Sequence, residues 1–280
     1  MAGDDLDEKI LAEIQRLNLT PVEAKKIING LRSVNKQKYT RKKLKGNSKN
    51  CRFGILGDLH IGHQDYRPDV LRDAAEYWAK TGVDFLLTTG DSIEGMSNRE
   101  GHVFELTHLG VSAQMEYFSK EMEVLKDWNV YAIEAQDSHG GWSHNKSNQG
   151  LNIGEELERR ASNYIFLGYD EQDVMVDNIS LRLRHPGGGT AYAVSYKMQK
   201  AIESFSGGDK PNILIDGHFH KFFYMFYRNI HGLSAGALQD QSPFMKKIGT
   251  PSHVGFTTVD MEYDKSGVIR FKPEWTAYYD

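Results

Sequence analysis

Cysteine is almost absent from the 280-residue chain, because Cys51 is its only cysteine. A single thiol excludes a disulfide framework and any zinc module built from several cysteines, and it is typical of a reducing compartment. The sequence also lacks a stretch of about 18 apolar residues, so we predict no membrane span. The first ten residues, MAGDDLDEKI, lack the apolar segment of a secretory signal. These absences predict a cytoplasmic protein.

Excess positive charge is also lacking, since the formal net charge is −4. This balance argues against a generally basic protein that binds nucleic acid over its whole surface. The distribution is uneven, however, because eight basic and no acidic residues lie between Arg32 and Lys49. Such a run is either a solvated linker or an arm that contacts phosphates.

Two short helices are predicted before the basic run. Residues Leu6, Ile10, Ile14 and Leu17 recur at helical spacing. A second helix begins at the capping box Thr20-Pro21-Val22-Glu23 and runs to about Leu31. The pair is either a small DNA-binding element or a docking appendage. We therefore predict a helical, basic extension over residues 1–49 and a main domain over residues 50–280.

The main domain alternates strand and helix patterns, which predicts an α/β fold. Apolar β-rich runs end at polar signatures, and helical stretches separate them. The predicted strands are Phe53–Leu56, Phe85–Leu87, Val130–Ile133, Ile179–Leu183 and Ile213–Ile215, and the predicted helices are Pro68–Lys80, Ser112–Trp128 and Ile153–Ser162. The last segment favours strands joined by tight turns. Ligands of such folds are expected at the carboxyl ends of the strands.

Aspartate and histidine follow five of these predicted strands, as Asp58-Leu59-His60, Asp91, His139, His185 and His218-Phe219-His220. Alternate residues at a strand exit share a face, so both side chains of each pair can face one centre. Imidazole and carboxylate ligands without thiolate suit Mn²⁺, Zn²⁺ or Fe rather than Ca²⁺. Two divalent ions set against two aspartates leave a charge of about +2, which a bridging hydroxide lowers to about +1, still attractive to a phosphate ester.

The same blocks carry a resemblance to the calcineurin-like metallophosphoesterase superfamily, in order and spacing from Cys51 to Asp280. They are Gly57-Asp58-Leu59-His60, Gly90-Asp91, Asp137-Ser138-His139, His185 and Gly217-His218-Phe219-His220. The resemblance implies a four-layer α/β/β/α sandwich, in which two β-sheets are flanked by helices. The block Gly57-Asp58-Leu59-His60-Ile61-Gly62 resembles the DNA-repair exonuclease and phosphodiesterase branch more closely than protein phosphatases. Protein phosphatases usually carry Asp-Arg-Gly after the second block, whereas this chain has Asp91-Ser92-Ile93-Glu94-Gly95.

The resemblance also implies roles for the matched residues. Asp58, His60 and His220 would hold one metal, and Asp91 would bridge two ions. The second ion would be held by His185 and His218. His139 would lie beside the leaving group as an acid or as a stabiliser of the transition state, so Asp91 and His139 are the expected catalytic residues.

The third block departs from the family pattern Gly-Asn-His, because Ser138 occupies the position of the metal-binding asparagine. A serine hydroxyl is shorter and binds such ions weakly, so we expect a looser second site or one reached through water. Asp137 could swing in instead, although a third carboxylate would remove the residual positive charge. Every other ligand position is filled, which favours an active enzyme.

Substrate contacts are predicted at His63 and Arg99, which lie in loops after strand ends. The further loop histidines His102, His108 and His144 either line the cleft or are simply exposed. We expect a phosphodiesterase or nuclease that acts on nucleic acid with two divalent ions, Mn²⁺ first and Zn²⁺ or Fe as alternatives. The alternatives are a phosphatase or diesterase for small molecules or phosphoproteins, and a weakly active regulatory protein with an impaired second metal site.

Overall fold

A computed structural model describes residues 42–44, 49–144 and 150–279. The two predicted N-terminal helices lie outside the described residues, and the boundary between extension and main domain stays a prediction. Lys42–Leu44, which lie in the predicted basic extension, form a short strand that pairs with Val174–Val176.

Twelve strands form two six-stranded mixed sheets within the described residues. In chain order they are β1 Lys42–Leu44, β2 Asn50–Leu56, β3 Phe85–Thr88, β4 Val130–Glu134, β5 Tyr164–Tyr169, β6 Glu171–Val176, β7 Ile179–Arg184, β8 Ile213–Asp216, β9 Phe222–Tyr227, β10 Ile230–Ala235, β11 Val254–Asp264 and β12 Gly267–Tyr278. The first sheet has the order β1-β6-β7-β8-β10-β9, and the second has the order β12-β11-β2-β3-β4-β5. The predicted strands are all present, together with several that the sequence pattern did not indicate.

In the part of the chain that the structure describes, five α-helices accompany the sheets: α1 Pro68–Thr81, α2 Val111–Met122, α3 Ile153–Arg160, α4 Tyr196–Ser204 and α5 Pro243–Ile248. Helix α1 illustrates why they form, because Pro68 occupies the first turn and needs no hydrogen-bond partner for its nitrogen. Its buried side chains include Val70, Leu71 and Trp78, which recur at helical spacing on one face. The Trp78 indole donates a hydrogen bond of 2.9 Å to the Thr258 hydroxyl on β11, which anchors the helix to the second sheet.

Three hydrophobic clusters separate the layers. Helices α1, α2 and α3 bury Trp78, Phe118 and Leu157 against the outer face of the second sheet. The cluster between the sheets contains residues of both, such as Ile55 on β2 and Leu183 on β7. Helix α4 covers the outer face of the first sheet through the third cluster. The order of layers is therefore α/β/β/α, as predicted.

Within the described residues, none of the helices combines the length and apolar character that a membrane span requires.

Candidate metal centre

The carboxyl ends of parallel strands from both sheets deliver the predicted ligands. Strands β2, β3 and β4 are parallel neighbours in the second sheet, and they lead to Asp58, Asp91 and His139. Strands β7 and β8 are parallel neighbours in the first sheet, and they lead to His185 and His218. Because parallel strands end at the same edge of a sheet, these side chains come together although they are distant in sequence.

Two glycines allow this close approach. A Cβ atom on Gly217 would lie 2.6 Å from Asp58 Oδ1, and one on Gly90 would lie 2.9 Å from His185 Nδ1. Gly90 also has a φ of +105°, which side-chain-bearing residues rarely adopt. A larger residue at either position would displace a candidate ligand.

The first group of candidate ligands comprises Asp58, His60 and His220, all buried. The Nε2 atoms of His60 and His220 lie 2.9 Å apart, and His220 Nε2 lies 3.5 Å from Asp58 Oδ2. The Nδ1 atom of His60 donates to the Glu94 carboxylate at 2.7 Å, so its Nε2 carries a lone pair. Burial and the neighbouring imidazoles lower the pKa of His220, and burial lowers the pKa of His60. Both imidazoles are therefore neutral, and each can offer a nitrogen lone pair to a metal ion.

The second group comprises Asp91, His185 and His218. His185 Nε2 lies 3.2 Å from Asp91 Oδ2, while its Nδ1 lies 2.8 Å from the Thr89 carbonyl and donates to it. His218 is oriented in the opposite sense, because its Nε2 donates to the Gly188 carbonyl at 2.8 Å and leaves Nδ1 for a ligand. Hydrogen bonds of this kind fix the tautomer of a metal-binding histidine.

Buried polar atoms without a partner test whether these groups suit a cation. Both carboxylate oxygens of Asp58, Asp91 Oδ2 and His185 Nε2 are buried and make no hydrogen bond. Burial raises the pKa of Asp58 to about 7, against the attraction of His185. Because an unpaired buried carboxylate is costly, a divalent cation is the partner that satisfies these lone pairs. The donor set therefore fits divalent metal ions.

Ser138 lies beside the second group of candidate ligands and contacts one of its members, Asp91. Its hydroxyl donates to Asp91 Oδ1 at 2.9 Å, so its oxygen orients the proposed bridging carboxylate. Asp137 is exposed and belongs to neither group of candidate ligands. The suggestion that Asp137 replaces the missing asparagine is not supported by its position here.

Glu94 is a buried residue that the sequence reasoning missed. Its carboxylate accepts hydrogen bonds of 2.7 Å from both His60 Nδ1 and His102 Nε2, and it lies 3.2 Å from His139 Nδ1. Burial opposes ionisation, but the charge of His139 and these hydrogen bonds hold the pKa of Glu94 well below its usual range. Its position three residues after Asp91 places it near the site but does not specify its histidine partners.

His139 lies between the two groups, with Nε2 3.8 Å from Asp91 Oδ2. Burial disfavours its charged form, but Glu94 and Asp91 outweigh burial and raise the pKa of His139 to about 9. The side chain is 26% exposed, which leaves it accessible from the neighbouring cleft. It therefore has the charge and the access expected of a group that contacts a phosphate ester.

The predicted substrate residues His63 and Arg99 both line this cleft. Arg99 donates to both oxygens of Glu105, at 3.0 and 2.7 Å, and His63 Nε2 lies 3.3 Å from the same carboxylate. The positive charge of Arg99 is therefore compensated. Of the other loop histidines, His102 contacts Glu94 and His108 stacks on Tyr117, and the side chain of His144 lies outside the described part of the chain.

Left-handed backbone conformations are concentrated at these residues. Such values of φ are uncommon for residues other than glycine and cluster at functional sites. The residues are His60, Asp91, His139, His218 and His220, with φ between 44° and 74°.

The layer order and the meeting of the five sequence blocks at one edge are the features that the resemblance implied. The fold is a four-layer α/β/β/α sandwich. Two groups of candidate ligands draw on both sheets, with Asp58 and His60 facing His220, and Asp91 facing His185 and His218. A third group, His60, Glu94 and His139, comes from the second sheet alone.

Comparison with known protein families finds no family model that matches the chain. The small subunit of DNA polymerase II from Halobacterium salinarum is 21% identical over 241 residues, which cover 71% of this chain and 46% of the relative. The chain thus spans about half the length of the curated relatives it matches.

Solved structures with a similar fold are phosphoesterases and Vps29 proteins. An archaeal phosphodiesterase has a TM-score of 0.44 at 16% identity, covering 80% of this chain and 99% of its own. The phosphoesterase YfcE from E. coli has a TM-score of 0.44 at 13% identity, with coverages of 79% and 98%. Zinc-bound Vps29 from Entamoeba histolytica has a TM-score of 0.39 at 16% identity, with coverages of 81% and 98%.

Proposed function

We propose that this protein is a metal-dependent phosphoesterase that holds two divalent ions and hydrolyses phosphodiesters of nucleic acid. The observation that carries the proposal is the pair of ligand groups in which buried atoms of Asp58, Asp91 and His185 make no hydrogen bond. Asp58, His60 and His220 would hold one ion, His185 and His218 the other, and Asp91 both. When bound, the ions would polarise the phosphoryl oxygens and lower the pKa of water.

The chain's own residues orient the reactants around these ions. The Nε2 atom of His139 lies 3.8 Å from Asp91 Oδ2, and Glu94 and Asp91 raise the pKa of His139 to about 9, so this ring would offer a proton to a bound ester. Glu94 supports this charge from the Nδ1 side of the ring. A protonated His139 would thus stabilise negative charge on the leaving group as the ester bond breaks.

Support for a nucleic-acid substrate comes from the sequence and from one relative. The basic run between Arg32 and Lys49 could track phosphates, and a curated relative is a DNA polymerase subunit. Hydrolysis of labelled DNA or RNA with Mn²⁺ should then weaken steeply as the salt concentration rises. Activity that is confined to small nucleotides and independent of salt would contradict this substrate class.

A screen of the purified protein tests the proposal directly. The protein is assayed with Mn²⁺, Zn²⁺ or Fe²⁺ on a chromogenic diester, a monoester and labelled DNA. We expect metal-dependent diester hydrolysis that Asp91→Asn abolishes. The matched control is Asp260→Asn, because Asp260 is an exposed aspartate on β11 that pairs with Arg52. Diester hydrolysis that persists in a chelator, or in Asp91→Asn, would refute the metal mechanism.

A second candidate function is favoured by Ser138. With a serine that hydrogen-bonds to Asp91 in the place of an amide ligand, the second ion could bind too weakly for turnover, which would leave a regulatory binding protein. Metal analysis separates the two candidates. Two ions per chain with turnover support the enzyme, and one ion without turnover of any diester supports the regulatory protein.

A further inference from the structure

A cleft of about 530 Å³ opens beside the metal centre and extends away from it. His218 and His220 form one end, and the remaining wall is mainly apolar, with Trp142, Phe219 and Phe244 among its side chains. Cavities of this size accommodate an organic group much larger than a phosphate. The cleft is therefore large enough to hold an organic group that is esterified to the reacting phosphate.

Aromatic rings stand directly beside two of the site histidines. The Trp142 ring centroid lies 4.7 Å from that of His139, and the Phe219 centroid lies 5.0 Å from that of His218. A group esterified to a phosphate at the metal centre would thus meet aromatic surfaces first. Such surfaces favour a planar, polarisable partner that stacks on them.

Two buried polar side chains on the cleft wall have no partner among the described residues. Gln239 is 3% exposed and Thr250 is 8% exposed, and both line the cleft. The backbone atoms of both residues are hydrogen-bonded, but the Gln239 amide and the Thr250 hydroxyl make no hydrogen bond within the described chain. The Gln239 amide and the Thr250 hydroxyl are therefore available at the cleft wall to a ligand that offers donors and acceptors.

Charge narrows the choice of ligand. Glu105 neutralises Arg99 through two hydrogen bonds, and the Arg99 guanidinium lies 5.3 Å from the Phe244 ring centroid. This wall therefore offers no uncompensated charge for a second phosphate. A hydrocarbon chain would fill the apolar space but leave Gln239 and Thr250 unsatisfied. A heteroaromatic ring with a hydrogen-bonding edge satisfies both requirements.

We propose that the cleft is a subsite for an unpaired nucleobase of the substrate, an inference that rests on the proposed phosphodiesterase function. The base stacks on the aromatic wall, and its edge bonds to Gln239 and Thr250. A base inside a duplex is stacked on its neighbours and paired along its edge, so it cannot make these contacts without leaving the helix. The subsite therefore selects single-stranded or flipped-out nucleotides.

Two diesters with the same leaving group test the subsite, using the full chain with Mn²⁺. They are thymidine 5′-(p-nitrophenyl phosphate) and methyl p-nitrophenyl phosphate. We expect kcat/KM to favour the nucleoside ester by about 10- to 100-fold, the range that stacking of one base supplies. Thymidine alone should inhibit methyl ester hydrolysis competitively. A single-stranded oligonucleotide should be cleaved faster than the same sequence held in a hairpin duplex.

Variants assign this preference to the cleft. Phe244→Ala, with Phe244→Leu as a milder second variant, and Gln239→Leu should each lower kcat/KM for the nucleoside ester more than for the methyl ester. The matched control is Phe226→Ala, because Phe226 is an exposed phenylalanine on β9 that does not line the cleft. It should leave the ratio unchanged, and thermal unfolding checks that every variant is folded.

The outcomes separate the subsite from the proposed function. Hydrolysis of both diesters with equal kcat/KM, or a preference that the folded variants retain, overturns the subsite and leaves the phosphodiesterase in place. Failure to hydrolyse either diester with any metal overturns the proposed function, and the subsite falls with it.

Discussion

Replacement of Glu94 by glutamine is the sharpest test of how the metal centre is organised. The carboxylate can accept a hydrogen bond from each of its histidine partners, whereas an amide offers one oxygen and an NH₂ group that only donates. If the amide oxygen keeps the hydrogen bond from His102, the NH₂ group faces the N–H of His60, so two hydrogen-bond donors face each other. His60 must then move its proton from Nδ1 to Nε2, where it blocks the lone pair that faces His220.

The expected loss follows from the number of histidines affected. Loss of a hydrogen bond that orients one metal ligand typically costs about 10- to 100-fold in metal affinity or activity. Glu94 orients His60 and also supports the charge of His139. We therefore expect Glu94→Gln to lower metal affinity by about 10- to 100-fold, and to lower kcat further because His139 loses its ion-pair partner.

Calorimetric titration with Mn²⁺ and diester turnover measure the two effects separately. The matched control is Glu121→Gln, because Glu121 is another buried glutamate that accepts a hydrogen bond, of 2.8 Å from the Tyr66 hydroxyl, but lies outside the centre. It should cost stability without changing metal affinity. Wild-type metal affinity in folded Glu94→Gln would refute the tautomer reasoning.

Three further predictions concern neighbouring positions. Ser138→Asn adds an amide oxygen and should raise the metal content and turnover. Ser138→Ala removes the hydrogen bond to Asp91 and should lower turnover. Equal effects of the two variants would contradict the position of Ser138 at the second ligand group. Asp58→Asn should raise the melting temperature of the chelated protein at pH 8, because it removes a buried charge that burial disfavours and that no side-chain hydrogen bond satisfies, and it should abolish stabilisation by added metal; a lower melting temperature would contradict this. Burial raises the pKa of Glu134 to about 7, so this carboxyl contributes about 3 kcal/mol of stability that is lost as the pH rises from about 4.5 through 7. Glu134→Gln should remove this contribution in denaturant titrations at several pH values, and an unchanged pH dependence would count against it.

The parts of the fold that were predicted have local signals. Strands such as β3, Phe85–Thr88, are buried on both faces, so their sequence is an apolar run that ends at a ligand. Strand β6, Glu171–Val176, was not predicted because it carries charge. Its Asp173 is buried in an ion pair of 2.7 Å with Arg182 on β7. When each sequence segment is considered alone, charged residues of this kind are predicted to lie on the surface, because the partner that neutralises them lies on another strand.

The candidate ligands could be predicted because their sequence pattern is local, whereas the role of Glu94 depends on residues that are distant in sequence. An aspartate and a histidine two residues apart at a strand exit form a pattern in one short segment. The role of Glu94 depends on three histidines from separate loops, His60, His102 and His139. Nothing in the residues around Glu94 specifies those partners, so it requires the folded structure.

The cost of this arrangement is concentrated at the edge where the two sheets meet. Left-handed backbone at a residue other than glycine costs about 1–3 kcal/mol, and five site residues adopt it. The unpaired carboxylate of Asp58 adds a desolvation cost at the same place. Two close-packed sheets and three hydrophobic clusters hold the strand exits in position against that cost. A cation bound between these ligands offsets much of the penalty, so metal binding and folding stability should be coupled in this protein.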